Sequence, residues 1–292
     1  MRDIEITLSF TGSRSDHNEI NFYDVAQALI GFERSLALTT HLILNGEVIT
    51  QAPALKGAEI VARPPSEGSW KLSAAVLAVA GGLYHLGTAP KDTPIGHLVR
   101  SGYDYVVTET LGFHVDYDKS LGQQYEEIKK AKQPTAELSE SKFDSLIEKC
   151  EHSIKEMHRP LVKSKTANKA ILTAHVDGIS TPLGPPLTRE TYEYVAYTER
   201  SPSPSQFTGK VTSYNVNTFK GRIYVTQQGR PIPFELSESA RGDQSLSAIT
   251  ASLTASALAR LQGRGDIAFS AFLNVSRTGR LKHLYITEVW LP

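Results

Sequence analysis

The sequence is poor in cysteine, because Cys150 is the only one among 292 residues. A single cysteine excludes an internal disulfide framework and a cysteine-based zinc site. The first residues also lack the apolar run of a secretory signal, since they open on an alternating segment, residues 3–10. We therefore expect a cytoplasmic protein.

Long hydrophobic runs are scarce as well. The stretch between Lys71 and Lys91 has no formal charge, but it is rich in alanine and contains Gly81, Gly82 and His85. A helix that spans a membrane needs about 20 strongly apolar residues. The composition of this stretch instead predicts a buried strand or a core helix, and no contact with a membrane.

Catalytic signatures are missing too. The sequence has no serine-hydrolase elbow, zinc-binding HExxH helix, P-loop or dinucleotide fingerprint. The hydroxyl-rich loop Thr11–His17 lacks the spaced glycines and the lysine of nucleotide-binding loops, and we expect a solvated turn there. Cys150 lies on the apolar stripe of a predicted helix, which is typical of a core residue and not of a reactive thiol. These absences favour a non-catalytic protein that uses no cofactor.

Net charge is zero, with 31 basic and 31 acidic residues, but the charge is unevenly distributed. Residues 205–292 contain ten lysine and arginine residues and five acidic residues, which gives a net charge of +5. The rest of the chain therefore carries −5. A basic module is joined to an acidic one, and the basic module is the better candidate for contact with an anionic ligand.

The periodicity predicts an α+β fold with an N-terminal mixed α+β domain, residues 1–200, and a second domain, residues 205–292. Apolar residues at helical spacing begin at Phe22, and this helix is expected to stop at Asn45-Gly46. Between the domains, the proline-rich run from Ser201 to Ser205 predicts a linker or an ordered extended connection. The other predicted elements of the first domain are strands at 3–10, 58–63, 69–79, 170–176 and 193–197, and helices at 94–111 and 139–158.

The second domain is predicted to be a small five-stranded β-barrel with one helix. Its strands are expected at 207–215, 218–226, 230–236, 266–275 and 281–291, with a helix over 246–261 between the third and the fourth. This order of elements is similar to that of the OB-fold over residues 206–292. The resemblance implies a ligand-binding surface on the second and third strands and their adjoining loops.

A second resemblance concerns the first domain. The turn Gly68-Ser69-Trp70 follows a proline-rich approach and looks like turns in uncharacterised bacterial proteins, some of them from mobile genomic islands. This resemblance implies a bacterial protein and carries no activity with it.

Basic and aromatic residues on the second strand of the barrel are the candidate binding residues. Lys220, Arg222 and Tyr224 share one face of a regular strand, and the residues between them face the core. Cations beside an exposed tyrosine suit single-stranded nucleic acid, because they neutralise phosphates while a base stacks on the ring. The candidate set is completed by three further cations, Arg230, Arg280 and Lys282.

The same face also has plainer interpretations. It fits contact with a protein partner, self-association, docking on the acidic domain of the same chain, or a surface that is charged only for solubility. The sequence thus predicts a binding or scaffold component of a bacterial complex, in which the barrel contacts a protein partner or single-stranded nucleic acid.

A repeated tripeptide supports an alternative of another class. His114-Val115-Asp116 and His175-Val176-Asp177 each place an imidazole and a carboxylate two residues apart, on one face of a strand. If the two pairs meet, then His114, Asp116, His175 and Asp177 form the metal site of a hydrolase. In the plainer interpretation, each carboxylate only orients a nearby histidine.

Overall fold

The chain divides into two compact units, Met1–Val195 and Ala196–Pro292, here called the N-terminal unit and the barrel unit. The predicted boundary lies at residues 201–204. The barrel unit begins a few residues earlier, at Ala196. The computed structural model describes residues 4–63, 70–78, 94–113, 115–130, 136–176, 179–258, 265–276 and 279–291.

The N-terminal unit is built on a five-stranded antiparallel sheet with the strand order β2-β3-β1-β4-β5. The alternating segment at the start of the chain forms the central strand, and its apolar residues Ile6, Leu8 and Phe10 are fully buried. The predicted strand is confirmed. The strands are β1 Ile4–Thr11, β2 Ala58–Arg63, β3 Lys71–Ala78, β4 Lys169–Val176 and β5 Ile179–Leu187.

Six helices accompany this sheet within the described residues. The longest, α1, begins where the Asn21 side chain accepts a hydrogen bond from the Asp24 backbone N–H, and it ends at Gly46, whose φ of 69° suits a glycine cap. Phe32 of α1 and Phe143 of α4 are among the buried core residues of the N-terminal unit. The helices are α1 Phe22–Asn45, α2 Pro94–Thr110, α3 Gln123–Lys130, α4 Glu140–Met157, α5 Arg159–Val162 and α6 Arg189–Ala196, with a π-helical turn at Asp118–Gly122.

One prediction near the end of this unit was wrong. The segment 193–197 was predicted as a strand, but it lies mostly in α6, because Thr188 caps this helix by accepting a hydrogen bond from the Thr191 N–H. Thr191 and Val195 are then buried one turn apart. The proline-rich segment before α6 forms β5, and its prolines are tolerated because β5 is an edge strand of the sheet.

The barrel unit is a closed five-stranded barrel in which neighbouring strands follow the order β7-β8-β9-β11-β10, and β10 pairs again with β7. The β9–β11 pair is parallel and the others are antiparallel. The predicted OB-like barrel with one helix is confirmed. Its elements are β6 Glu199–Arg200, β7 Ser205–Asn215, β8 Lys220–Val225, β9 Arg230–Leu236, α7 Asp243–Leu258, β10 Ile267–Val275 and β11 Leu281–Trp290.

The helix α7 packs against the barrel through its buried residues Ala248, Ile249 and Ser252. Ser252 fastens it with a pair of hydrogen bonds, since its hydroxyl accepts from the Val211 N–H at 3.0 Å and donates to the Gly265 carbonyl. The helical spacing of Leu246, Ile249, Leu253, Leu258 and Leu261 predicts one apolar stripe on this helix, but Leu258 is exposed, and Leu261 lies outside the described residues. The stripe therefore ends before the last turn.

The run Ser201–Ser205 is an ordered extended connection and not a free linker. The Ser201 N–H donates to the Leu273 carbonyl at 2.8 Å, and the Leu273 N–H donates to the Ser201 hydroxyl at 3.0 Å. These bonds lie between β6 and β7, which both pair with β10. The segment thus prolongs β7 along the edge of β10.

Across the described ranges, no helix is long and apolar enough to cross a membrane. Residues 71–78 of the uncharged stretch form the strand β3. The remainder of that stretch, residues 79–91, lies outside the described residues.

Candidate functional site on the barrel

The strand β8 alternates between the barrel core and its outer surface. Gly221, Ile223 and Val225 are buried in the core, as predicted, and Lys220, Arg222 and Tyr224 lie on the opposite face. Gly221 is required here, because a Cβ at this position would meet the Ser213 carbonyl of β7 and the ring of Phe234. The close packing of Gly221 therefore fixes the position of β8 between its neighbours, and with it the positions of the residues on its outer face.

Tyr224 is the exposed aromatic residue of this face. Its side chain is 39% exposed. The strand register places Lys210 of β7 directly opposite it on one side and Pro231 of β9 on the other. Directly opposite residues in antiparallel strands have Cβ atoms about 5 Å apart. Tyr224 and Lys210 are therefore cross-strand neighbours, and Lys210 is a residue that was absent from the predicted candidate set.

Arg222 is not available on the surface, and the expectation that its side chain is exposed was wrong. The residue is only 1% exposed. It lies on the middle strand of three, with Ser213 of β7 on one side and Pro233 of β9 on the other. Strand alternation predicts the side of the sheet on which a residue lies, but not how deeply its neighbours cover it.

Lys220 is half-buried at the start of β8, and its register partner on β9 is Glu235. An acid directly opposite a lysine stabilises that lysine and reduces the positive potential at this point of the face. Lys220 is therefore a weaker anion-binding candidate than its charge alone indicates.

The three remaining predicted cations, Arg230, Arg280 and Lys282, lie in different places on the barrel unit. Arg230 donates from a terminal nitrogen to the Leu281 carbonyl. Lys282 donates from Nζ to the Thr198 hydroxyl at 2.8 Å and to the Tyr197 carbonyl, which ties down the segment before β6. Arg280 lies in the β10–β11 hairpin, where its backbone exchanges hydrogen bonds with Ser276. Their binding role stays a prediction.

A second cationic feature crosses β6, β10 and β11, and the sequence analysis did not find it. The register pairs Arg200 with Asn274, and Asn274 with His283, in one row. Arg200 Nε donates to Asn274 Oδ1 at 3.4 Å, and its guanidinium lies 4.4 Å from the centre of the Tyr285 ring. Here this group of four residues, Arg200, Asn274, His283 and Tyr285, is called the Arg200 cluster.

The pKa of His283 reflects the charges around the Arg200 cluster. The pKa of His283 is lowered to about 4, mainly by burial of the ring and in addition by the positive charges of Lys220 and Arg200. A neutral imidazole between two cations indicates a local excess of positive potential. The cluster is therefore suited to a negatively charged group.

The outer face of the N-terminal sheet contains a polar network that includes His175. The Thr7 hydroxyl lies 2.9 Å from Ser73 Oγ and 2.9 Å from His175 Nε2, and His175 Nδ1 lies 3.0 Å from Ser180 Oγ. Four neighbouring strands are linked in this way. Because both imidazole nitrogens are engaged by hydroxyl groups, His175 has a structural role in the sheet.

The four residues of the metal-site alternative are only partly described. His114 and Asp177 lie outside the described residues. Asp116 accepts a hydrogen bond from the Lys119 N–H at the start of the π-helical turn, and His175 belongs to the sheet network. Within the described part of the chain, no group of three or more histidine, cysteine or acidic residues is arranged to hold a metal ion.

The hydroxyl-rich loop and the single cysteine have structural roles. The Gly12 N–H donates to Asp16 Oδ1 at 2.7 Å, so this amide already has an anionic partner within its own loop. Cys150 is fully buried, and burial raises the pKa of its thiol to about 12. The thiol is therefore protonated at neutral pH and is not a nucleophile.

Two family models match the chain. Residues 6–188 match the Domain of unknown function (DUF7946), and because this match spans more than half of the chain, the chain belongs to that family. Residues 203–289 match the Family of unknown function (DUF7947). No curated protein and no solved structure matches the chain. The two matches fall on the two units, and the function has to be inferred from the side chains.

Proposed function

We propose that this protein is a non-catalytic binding component whose barrel unit holds single-stranded nucleic acid against the outer surface of β7 and β8. The observation that carries this proposal is the pair formed by the exposed ring of Tyr224 and Lys210 directly opposite. A base stacks on such a ring while the ammonium group neutralises the adjoining phosphate.

The setting of this pair supports the proposal. Pro231 borders the other side of Tyr224, so the ring stands between an aliphatic ring and a cation on a rigid three-stranded surface. The second and third strands of OB-like barrels are the surface on which oligonucleotides bind, and β8, which carries Tyr224, is the second strand of this barrel. The charge of +5 over residues 205–292 adds long-range attraction for a polyanion.

Fluorescence anisotropy of labelled oligo-dT and oligo-U tests the proposal with the full chain. We expect saturable binding whose affinity falls as salt is raised. Tyr224→Ala should weaken binding about tenfold, since one base–aromatic stack is worth about 1–3 kcal/mol. Lys210→Gln should weaken binding and reduce the dependence on salt by about one phosphate contact.

Tyr23→Ala is the matched control, because Tyr23 is an exposed tyrosine of α1, in the N-terminal unit. It should bind oligonucleotides as the unchanged protein does. Absence of binding at low salt, or equal losses for Tyr224→Ala and Tyr23→Ala, would overturn the proposal.

A second candidate function is self-association through α1, as expected of a scaffold. Three large apolar side chains of this helix are exposed: Phe22 by 86%, Tyr23 by 62% and Ile30 by 58%. Tyr23 and Ile30 lie seven residues apart and share one helix face. A second copy presents the same stripe, so the contact is self-complementary.

Sedimentation velocity over a range of protein concentrations tests this candidate. We expect a concentration-dependent dimer that the double change Tyr23→Ser with Ile30→Ser abolishes. Val216→Ser is the control, because Val216 is an equally exposed apolar residue in the barrel unit. A monomer at every concentration contradicts self-association.

A further inference from the structure

The Arg200 cluster is a pre-organised group of side chains that the proposed nucleic-acid surface does not use. It lies on β6, β10 and β11, whereas Tyr224 and Lys210 lie on β8 and β7. We propose that Arg200 and His283, with Lys220 beside them, form a separate subsite for a phosphate group. This inference rests on the proposed function, since it assigns the subsite to a backbone phosphate of the bound strand.

The guanidinium of Arg200 is held in place by two neighbours before any ligand arrives. It stacks 4.4 Å from the centre of the Tyr285 ring, and Nε donates to Asn274 Oδ1. Within the described residues, its two terminal nitrogens have no hydrogen-bond partner. A stacked guanidinium with a free fork matches the geometry of two phosphate oxygens, and its immobilisation reduces the entropy lost on binding.

The hydrogen bonds of Asn274 fix the tautomer of His283. Arginine can only donate, so the Asn274 oxygen faces Arg200 and its amide nitrogen faces His283. That nitrogen lies 3.4 Å from His283 Nδ1 and donates to it. Nδ1 is therefore unprotonated in the neutral ring, and Nε2 carries the hydrogen. His283 thus offers an N–H donor to a ligand.

The charges around His283 favour an anion. Arg200 on β6 and Lys220 on β8 are the two cations that lower its pKa, in addition to burial. Glu235 on β9 is the acid of this face, and it lies in register with both Lys220 and Tyr285. A bound phosphate adds negative charge beside the ring, so it raises the pKa of His283 and favours proton uptake.

The subsite is predicted to recognise the phosphate group itself, which both nucleic acids and free phosphates carry. Two probes separate these sources: oligo-dT and inorganic pyrophosphate. Titration of the full chain, with the His283 ring followed by NMR at constant ionic strength, reports on both. We expect each probe to raise the pKa of His283.

Three variants test the role of Arg200 by anisotropy with oligo-dT. Arg200→Gln should weaken binding about fivefold and reduce the salt dependence by about one phosphate contact. Arg200→Lys keeps the charge but loses the fork and the ring stacking, so we expect an intermediate loss. Arg189→Gln, which removes an exposed arginine of α6, should change nothing.

The outcomes separate this inference from the proposed function. If oligo-dT binds the unchanged protein and Arg200→Gln equally, without a response of His283, the phosphate subsite is overturned and the proposed function stands. If oligo-dT does not bind but pyrophosphate shifts His283 in an Arg200-dependent manner, the proposed function is overturned and the subsite stands. If neither probe acts, both are overturned.

Discussion

Each unit of this protein has a histidine with a pKa of about 4, but the two values arise in different ways. His158 of the N-terminal unit is fully buried, and the removal of its ring from water is the main cause of its low pKa. His283 of the barrel unit is only half-buried, and two cations add to the effect of burial. Burial is the largest cause at both rings, and only at His283 do neighbouring cations lower the pKa as well.

The hydrogen bonds of His158 confirm its structural role. Nδ1 lies 2.8 Å from the Ile154 carbonyl, which can only accept, so Nδ1 carries the hydrogen. Nε2 then accepts from the Thr191 hydroxyl at 2.9 Å. The neutral ring thus links the end of α4 to the start of α6 with both nitrogens satisfied. A similar pKa therefore does not indicate a similar function.

The largest expected effect is the loss of stability when His158 is removed. His158→Ala should lower the free energy of unfolding of the N-terminal unit by about 3–4 kcal/mol, because it creates a cavity and leaves the Thr191 hydroxyl without its acceptor. His283→Ala should cost the barrel unit less than about 1 kcal/mol, as expected for a half-exposed site.

Each unit contains one of the two tryptophans, which allows the two costs to be measured separately. Trp70 belongs to the N-terminal unit and packs on Phe10, and Trp290 lies on β11. Denaturant unfolding is followed in a Trp290→Phe background for one unit and a Trp70→Phe background for the other. His152→Ala, an exposed position on α4, is the control. Equal losses in the free energy of unfolding for His158→Ala and His283→Ala would contradict the difference between the two histidines.

The next effect is acid destabilisation of the N-terminal unit. The pKa of His158 is about 4 in the folded chain against an ordinary value of 6.5, so only the unfolded chain binds this proton between these values. The contribution of neutral His158 to the free energy of unfolding is complete above pH 6.5. It falls as the pH decreases to about 4, and below that pH it no longer changes. The loss amounts to about 3 kcal/mol.

Carboxyl groups change with pH in the same range, so the prediction needs a reference protein. Burial raises the pKa of both Glu33 and Asp104, and these groups add stability as the pH falls. His158→Gln removes only the histidine contribution. The difference between the two unfolding curves, followed through Trp70, should shrink as the pH falls from 6.5 to 4. A constant difference would show that His158 is protonated in the folded protein.

A smaller effect is expected at His283 when one of its neighbouring cations is removed. Arg200→Gln should raise the pKa of His283 by less than about 1, because one repulsive charge is lost while burial remains. The pKa of His158 should not change. NMR titration of both rings measures this, with Arg189→Gln as the control. A shift of both rings, or of neither, would contradict the electrostatic origin of the His283 pKa.

The sequence predicted much of the barrel and little of the Arg200 cluster, for a physical reason. Alternation and turn residues are local signals, and they placed Gly221, Ile223 and Val225 in the core and Tyr224 outside. Arg222 is buried and Tyr224 is exposed, although both lie on β8 between β7 and β9. Local periodicity does not report the depth of such a position.

Arg200 was missed because its partners are distant in the sequence. The prolines of the run Ser201–Ser205 are typical of a connection, and nothing local indicates that Arg200 pairs with Asn274 on β10. The row to His283 also requires the β10–β11 register. One long-range pairing, β6–β10, therefore joins Arg200 to the β10–β11 hairpin, whereas the β7–β8 hairpin alone brings Lys210 opposite Tyr224.

The smallest effect is the response of the two histidines to salt. Between about 0.01 M and about 1 M salt the Debye length falls from about 30 Å to about 3 Å, so the repulsion that Lys220 and Arg200 exert on an exposed imidazolium is screened. The pKa of His283 should therefore rise by a few tenths, whereas the pKa of His158, which is set mainly by burial, should stay constant. NMR titration in sodium chloride measures both rings in one sample. A rise at His158 of the same size would mean that surface charge reaches the core, and the distinction between the two histidines would then fail.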